Sequence, residues 1–150
     1  MPQGITSLRL AATSLLKYLQ VCDIIYAESE VHIMPESQLR SQSMDFAVSI
    51  INLVKVLKEK RESIISNQIG RSGTSIGANI REAQYAHGKA DFIAKLQIAL
   101  KEANETGYWL ELLYKTNYIT EIEYKALDSA CTCIRVMLIS SINTAKENAK

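Results

Sequence analysis

Gln68-Ile69-Gly70-Arg71-Ser72-Gly73-Thr74-Ser75-Ile76-Gly77-Ala78-Asn79-Ile80-Arg81-Glu82-Ala83 is the stretch whose reading decides the fold. At helical period it sorts into three sides. Ile65, Ile69, Ile76, Ile80 and Ala83 make an apolar one. Ser66, Gly70, Gly73 and Gly77, spaced four, three and four, make a stripe of small residues. Arg71, Ser75, Asn79 and Glu82 make a third side that is wholly polar. Each glycine inside a helix costs about 1 kcal/mol relative to alanine. Three on one stripe therefore imply a compensating gain, most simply a second helix backbone lying very close. The expected helix runs from about Ser63 to Tyr85.

Working outward, Gly88 is a natural helix stop, and the next helix is expected from about Lys89 to Lys115. Phe92, Leu96, Ala99, Ala103, Thr106, Leu110 and Leu113 repeat at alternating four and three, the seam of a helix bundle. Its reverse side carries Ala94, Ile98, Trp109 and Leu112, with Glu105 among them. A helix apolar on two faces must bury both. A four-helix bundle covers one, so these four residues are expected to meet another subunit. Further on, Asn117 suits a left-handed helix stop, Thr120 with Glu123 forms a capping box, and Ile119 with Tyr124 takes the positions of a hydrophobic staple. The last helix then runs from Thr120 to about Ala145, with Leu127, Cys131, Ile134, Leu138 and Ser141 inward. Upstream, Ala47, Ile50, Ile51, Val54 and Leu57 define a helix from about Met44 to Lys58, with Asp45 in its first turn and a connection near residues 59–62.

The 150 residues fit one domain, and 47% hydrophobic with 22% charged residues is ordinary globular usage. Six glycines and two prolines, Pro2 and Pro35, favour long helices over a turn-rich β fold. The expected fold is all-α: an antiparallel up-down-up-down four-helix bundle over residues 44–150, preceded by an N-terminal extension over 1–43. Within that extension Thr13–Ala27 reads as a short helix with Leu15, Leu16, Leu19 and Ile24 or Ile25 on its apolar side, and Pro35 separates it from the bundle. Met34 and Met44 are alternative starts. Arg9, Lys17 and Asp23 interrupt the apolar run Leu8–Ala27, so it does not read as a membrane span or a signal peptide. Cys22, Cys131 and Cys133, an odd number without framework spacing, point to reduced thiols in a cytoplasmic protein.

The chemistry visible in the sequence is sparse. His32 and His87 are the only histidines and have no ligand-spaced partner, so no metal site, cofactor or histidine-based catalysis is expected. The glycines follow no strand and make no phosphate-binding fingerprint. Arg71, Ser75, Asn79 and Glu82 lack a nucleophile–base pair; the expectation is a satisfied polar seam in which Arg71 meets a carboxylate such as Glu105 on a neighbouring helix.

The run Gln68–Ala83, with Asp91–Thr106 and Trp109–Leu113 after it, resembles the signature of the four-helix-bundle proteins known as 23S rRNA intervening-sequence proteins. The resemblance covers about Met44 to Lys150. Arg71, Ser72, Ser75, Asn79, Glu82 and Glu105 match the family's polar positions, and Ala83 stands where the family usually has glycine. The resemblance implies a non-catalytic bundle that assembles into a homopentameric ring. Distant relatives are accessory variability proteins of diversity-generating retroelements, associated with a reverse transcriptase and nucleic acid.

Two functional readings are open. In the first, the chain is a homo-oligomeric scaffold binding RNA, single-stranded DNA or a nucleic-acid enzyme through Arg61, Arg71, Arg81, Lys89 and Lys95, repeated around a ring. The net charge of +1 means that such binding needs a local concentration of cations. In the second, it is a protein-interaction module without nucleic-acid affinity. Neither reading involves a membrane.

Overall fold

The computed structural model describes residues 36–148. The expected helix Thr13–Ala27, the break at Pro35 and the alternative start at Met34 lie outside the described residues. Four helices succeed one another: α1 (Glu36–Glu59), α2 (Ile64–Ala83), α3 (Lys89–Lys115) and α4 (Glu121–Glu147). Contacts between sequential helices run in opposite directions along their partners. Gly70 lies against Val54, Gly73 against Ile50 and Gly77 against Ser43. Arg71 reaches Glu102 and Glu105 while Glu82 reaches Lys95. The bundle is thus antiparallel, and α1 closes it against α4.

The seam of α1 is Leu39, Ser43, Phe46, Ile50, Leu53 and Leu57, all buried at alternating spacings of four and three. This corrects the sequence reading twice. The helix begins at Glu36 rather than near Met44, and Leu39 and Ser43 belong to the bundle. Ile51, expected inward, is 41% exposed, while Phe46 and Leu53 are buried. The rotation is set by the small-residue stripe of α2, which receives Ile50 and Val54. Ser43 is legible only in three dimensions, because its hydroxyl donates to the carbonyl of Arg40 (2.9 Å) and so can be buried.

The connection over residues 60–63 contains no glycine. Arg61 takes the left-handed conformation (φ 60°), and the Glu62 N–H donates to the Leu57 carbonyl (2.9 Å), closing α1 in the usual left-handed stop. Ser63 occupies the N-cap of α2 yet its side chain makes no capping bond. Glu62 does so instead. Only 8% exposed, its carboxylate accepts the backbone N–H groups of Ile64 (2.9 Å), Ile65 (2.9 Å) and Ser66 (2.7 Å). Lys60 Nζ donates to the Tyr118 carbonyl (2.8 Å), tying this connection to the one between α3 and α4.

Gly88 does not end α2 as a left-handed residue. Its backbone is extended (φ 174°) and it stands as the N-cap of α3, whereas α2 ends at Ala83 with helical dihedrals continuing at Gln84. The junction before α4 follows the sequence closely. Asn117 has φ 60°, Thr120 N–H donates to Glu123 Oε2 (2.7 Å), and the Thr120 hydroxyl accepts from Glu123 N–H. Ile119 is buried, and Tyr124 stacks on Tyr114 at 4.9 Å. Leu127, Cys131, Ile134 and Leu138 face inward as expected, Ser141 is half-buried, and Met137 and Ile142 join the core.

Candidate functional site: the polar seam between α2 and α3

The polar side of α2 lies along α3. Arg71 is the centre of the seam: its Nη1 lies 3.2 Å from Glu102 Oε2, and its Nη2 pairs with Glu105 Oε1. Trp109 Nε1 donates to the same Glu105 oxygen (3.2 Å). The hydrogen bond from Arg71, followed by that from Trp109, holds the Glu105 carboxyl below the ordinary carboxylate value of 4.5, and the two carboxylates raise the Arg71 guanidinium. Lys95 Nζ donates to Glu82 Oε2 (2.6 Å), which raises the Lys95 ammonium.

Beneath these charges the seam is uncharged and closed. Ser72 and Thr106 are fully buried with their hydroxyls 2.9 Å apart, and Thr106 donates to the carbonyl of Glu102 (2.8 Å). Ser75 Oγ donates to the Arg71 carbonyl (2.7 Å) and Asn79 Nδ2 to the Ser75 carbonyl (2.8 Å). The hydroxyl and amide that could take part in chemistry are therefore engaged with their own helix. Sequence reading named Glu105 but missed Glu102, whose only signal was its place one turn earlier on the same helix.

The five cations expected to bind nucleic acid do not form one surface. Arg71 and Lys95 are ion-paired inside the seam. Arg61 lies on the connection before α2, while Arg81 and Lys89 flank the one after it. The 20 residues of α2 separate these ends, about 30 Å at 1.5 Å per residue. Arg81 and Lys89 are exposed. Near them Arg40 at the start of α1 donates to Gln84 Oε1 (3.2 Å), so this end gathers three basic residues.

The outer face of α3 is mixed. Ala94 is exposed, Ile98 is 43% and Tyr108 59% exposed, while Trp109 and Leu112 are half-buried and pack against the core. Trp109 meets Tyr108 edge-on with ring centroids 4.8 Å apart. Trp109 and Leu112, two of the four residues expected to meet another subunit, thus already bury part of their surface within the single chain, and Glu105 holds the indole there.

Of the thiols, Cys131 is free and buried, with its Sγ 3.3 Å from the Ala103 carbonyl, and burial pushes it up to about 12, far from a reactive thiolate. Cys133 is disulfide-bonded, so the expectation of reduced thiols fails there. Among the described residues no group of three His, Cys, Asp or Glu could hold a metal ion, and no helix is long and apolar enough to cross a membrane.

An antiparallel four-helix bundle with this polar seam is the architecture expected of the 23S rRNA intervening-sequence proteins. The family model of the 23S rRNA-intervening sequence protein matches residues 36–140, and the chain belongs to that family. A solved structure of a protein of unknown function from the S23 ribosomal protein family of Bacteroides thetaiotaomicron VPI-5482 is 54% identical, with a TM-score of 0.72. The likeness covers 73% of this chain and 99% of that one. No curated protein matches the chain.

Proposed function

We propose that this protein is a non-catalytic scaffold that associates with further copies of itself through the outer face of α3 and presents basic ends to single-stranded nucleic acid. One observation carries the first half. A helix whose inner seam is buried from Leu96 to Leu113 also leaves Ile98 and Tyr108 exposed on an outer face that holds half-buried Trp109 and Leu112, apolar surface that water does not favour. The family resemblance supports a pentamer. Light scattering tests the assembly: a mass several times the 16.8 kDa of one chain is expected, and a single-chain mass at micromolar concentration refutes it.

The nucleic-acid half rests on the end of the bundle that carries Arg40, Arg81 and Lys89, because a net charge of +1 supplies no general attraction. Repetition of a weak patch around an oligomer raises the effective concentration of sites. The expected binding is salt-sensitive and tolerant of sequence. Replacing Arg81 and Lys89 together by alanine weakens it and flattens its salt dependence. Absence of binding to RNA or single-stranded DNA at low salt leaves a protein-interaction scaffold as the function.

A further inference from the structure

The same end of the bundle holds a wide-open recess of about 530 Å³ between the α2–α3 connection and the end of α4. Its walls divide by chemistry. Ala83, Ala145 and Phe92 give it an apolar side; Gln84 and Asn148 bring two carboxamides and Lys89 an ammonium. Arg40 Nη1 donates to Gln84 Oε1, which fixes that carboxamide and leaves its NH₂ group to donate. Between the lining residues Gln84 and Ala86 stands Tyr85, 84% exposed. Gln84 keeps helical dihedrals, so Tyr85 continues the spiral of α2 one turn beyond exposed Arg81.

The geometry points to a nucleotide site: the recess takes one base of a single strand against Phe92 and the two carboxamides, Tyr85 stacks on the neighbouring base, and Lys89 with Arg81 meets the backbone phosphates. An apolar wall with amide donors and acceptors suits a flat heteroaromatic ring whose edge carries the same groups. A simple phosphate site would need neither the apolar wall nor an exposed tyrosine, and an apolar peptide would find no reason for Lys89 in the wall with Arg40 held beside it. The site rests on the nucleic-acid half of the function proposed above and adds to it that bases, and not only phosphates, are bound.

The test compares two fluorescein-labelled strands by anisotropy with the full chain: a short RNA of mixed sequence and a deoxyribose-phosphate strand of equal length without bases. The RNA is expected to bind several-fold tighter. Tyr85→Ala, a change at an exposed position, should weaken RNA binding roughly five- to a hundredfold, the range for loss of one stacked base, and leave the abasic strand unaffected. Ala145→Trp, which fills the recess, should act the same way in a protein whose thermal unfolding stays cooperative; Asn148→Ala probes the same wall from an exposed position. Equal binding of the two strands, unchanged by Tyr85→Ala, overturns the base site while the electrostatic reading stands. Binding of neither strand overturns both. Displacement of the RNA by free uridine monophosphate at comparable concentration overturns the assignment to a strand.

Discussion

Gly73 and Gly77 share one stripe of α2 but stand in different surroundings. A Cβ on Gly73 would lie 2.9 Å from both γ-carbons of Ile50, a fully buried and β-branched side chain that has little freedom to move aside. A Cβ on Gly77 would meet Ser43 at 3.4–3.6 Å, ordinary contact. Alanine gains up to about 1 kcal/mol of helical propensity at either site, but overpacking typically costs about 1–3 kcal/mol. Gly73→Ala is therefore expected to destabilise by up to about 2 kcal/mol and Gly77→Ala to be neutral or mildly stabilising. Urea unfolding of the two variants checks this, and a Gly73→Ala protein more stable than its parent would contradict the contact. A second residue-scale prediction concerns Glu105. Its carboxyl titrates below 4.5 because Arg71 and Trp109 bond its charged form. The stabilisation is complete above that value and is lost as pH falls through the lower folded-state value. Trp109 is the single tryptophan, so its fluorescence should report a transition with a midpoint below 4.5 that Glu105→Gln removes. A midpoint at or above 4.5 would show that the seam does not hold the carboxylate.

At the scale of the helices, α2 depends on an unexpected cap. Glu62→Ala leaves three backbone N–H groups at the buried start of α2 without their acceptor, and a loss of about 2 kcal/mol is expected in denaturant unfolding. An unchanged midpoint would mean that Ser63 takes over the cap. The first turns of α1 make a related prediction. A chain beginning at Met44 lacks buried Leu39 and Ser43 and should be less stable than one beginning at Glu36 by about 1.5–3 kcal/mol, the burial of one leucine; equal thermal midpoints would exclude Leu39 from the core. These elements also mark where the sequence could be read. The α3 seam, the Thr120–Glu123 capping box and the left-handed Asn117 were legible because period and local chemistry agree. Glu62 was hidden by Ser63, the better N-cap by residue type. The start of α1 was hidden because a proline reads as a barrier although it can equally precede a helix, and because buried Ser43 interrupts the apolar pattern. The partnership of Arg71 with a carboxylate could be anticipated from the polar side of α2, whereas Glu102 could not, since its role depends on the register between α2 and α3.

For the whole molecule, the polar seam and the outer face of α3 adjoin. Glu105 holds Arg71 on one side and Trp109 on the other, so the charges that join α2 to α3 also orient the indole beside Tyr108. A face ordered in this way before association loses less conformational freedom on binding a partner. Ile98→Glu places a charge on the outer face of α3 at a position 43% accessible in the single chain, and should separate the copies while leaving each one folded. Light scattering on the parent and Ile98→Glu proteins, with circular dichroism to confirm equal helicity, tests the central claim most directly. The account predicts a mass several times 16.8 kDa for the parent and a single-chain mass for the variant. A parent that scatters as one chain at micromolar concentration, or a variant that remains fully assembled, would contradict it.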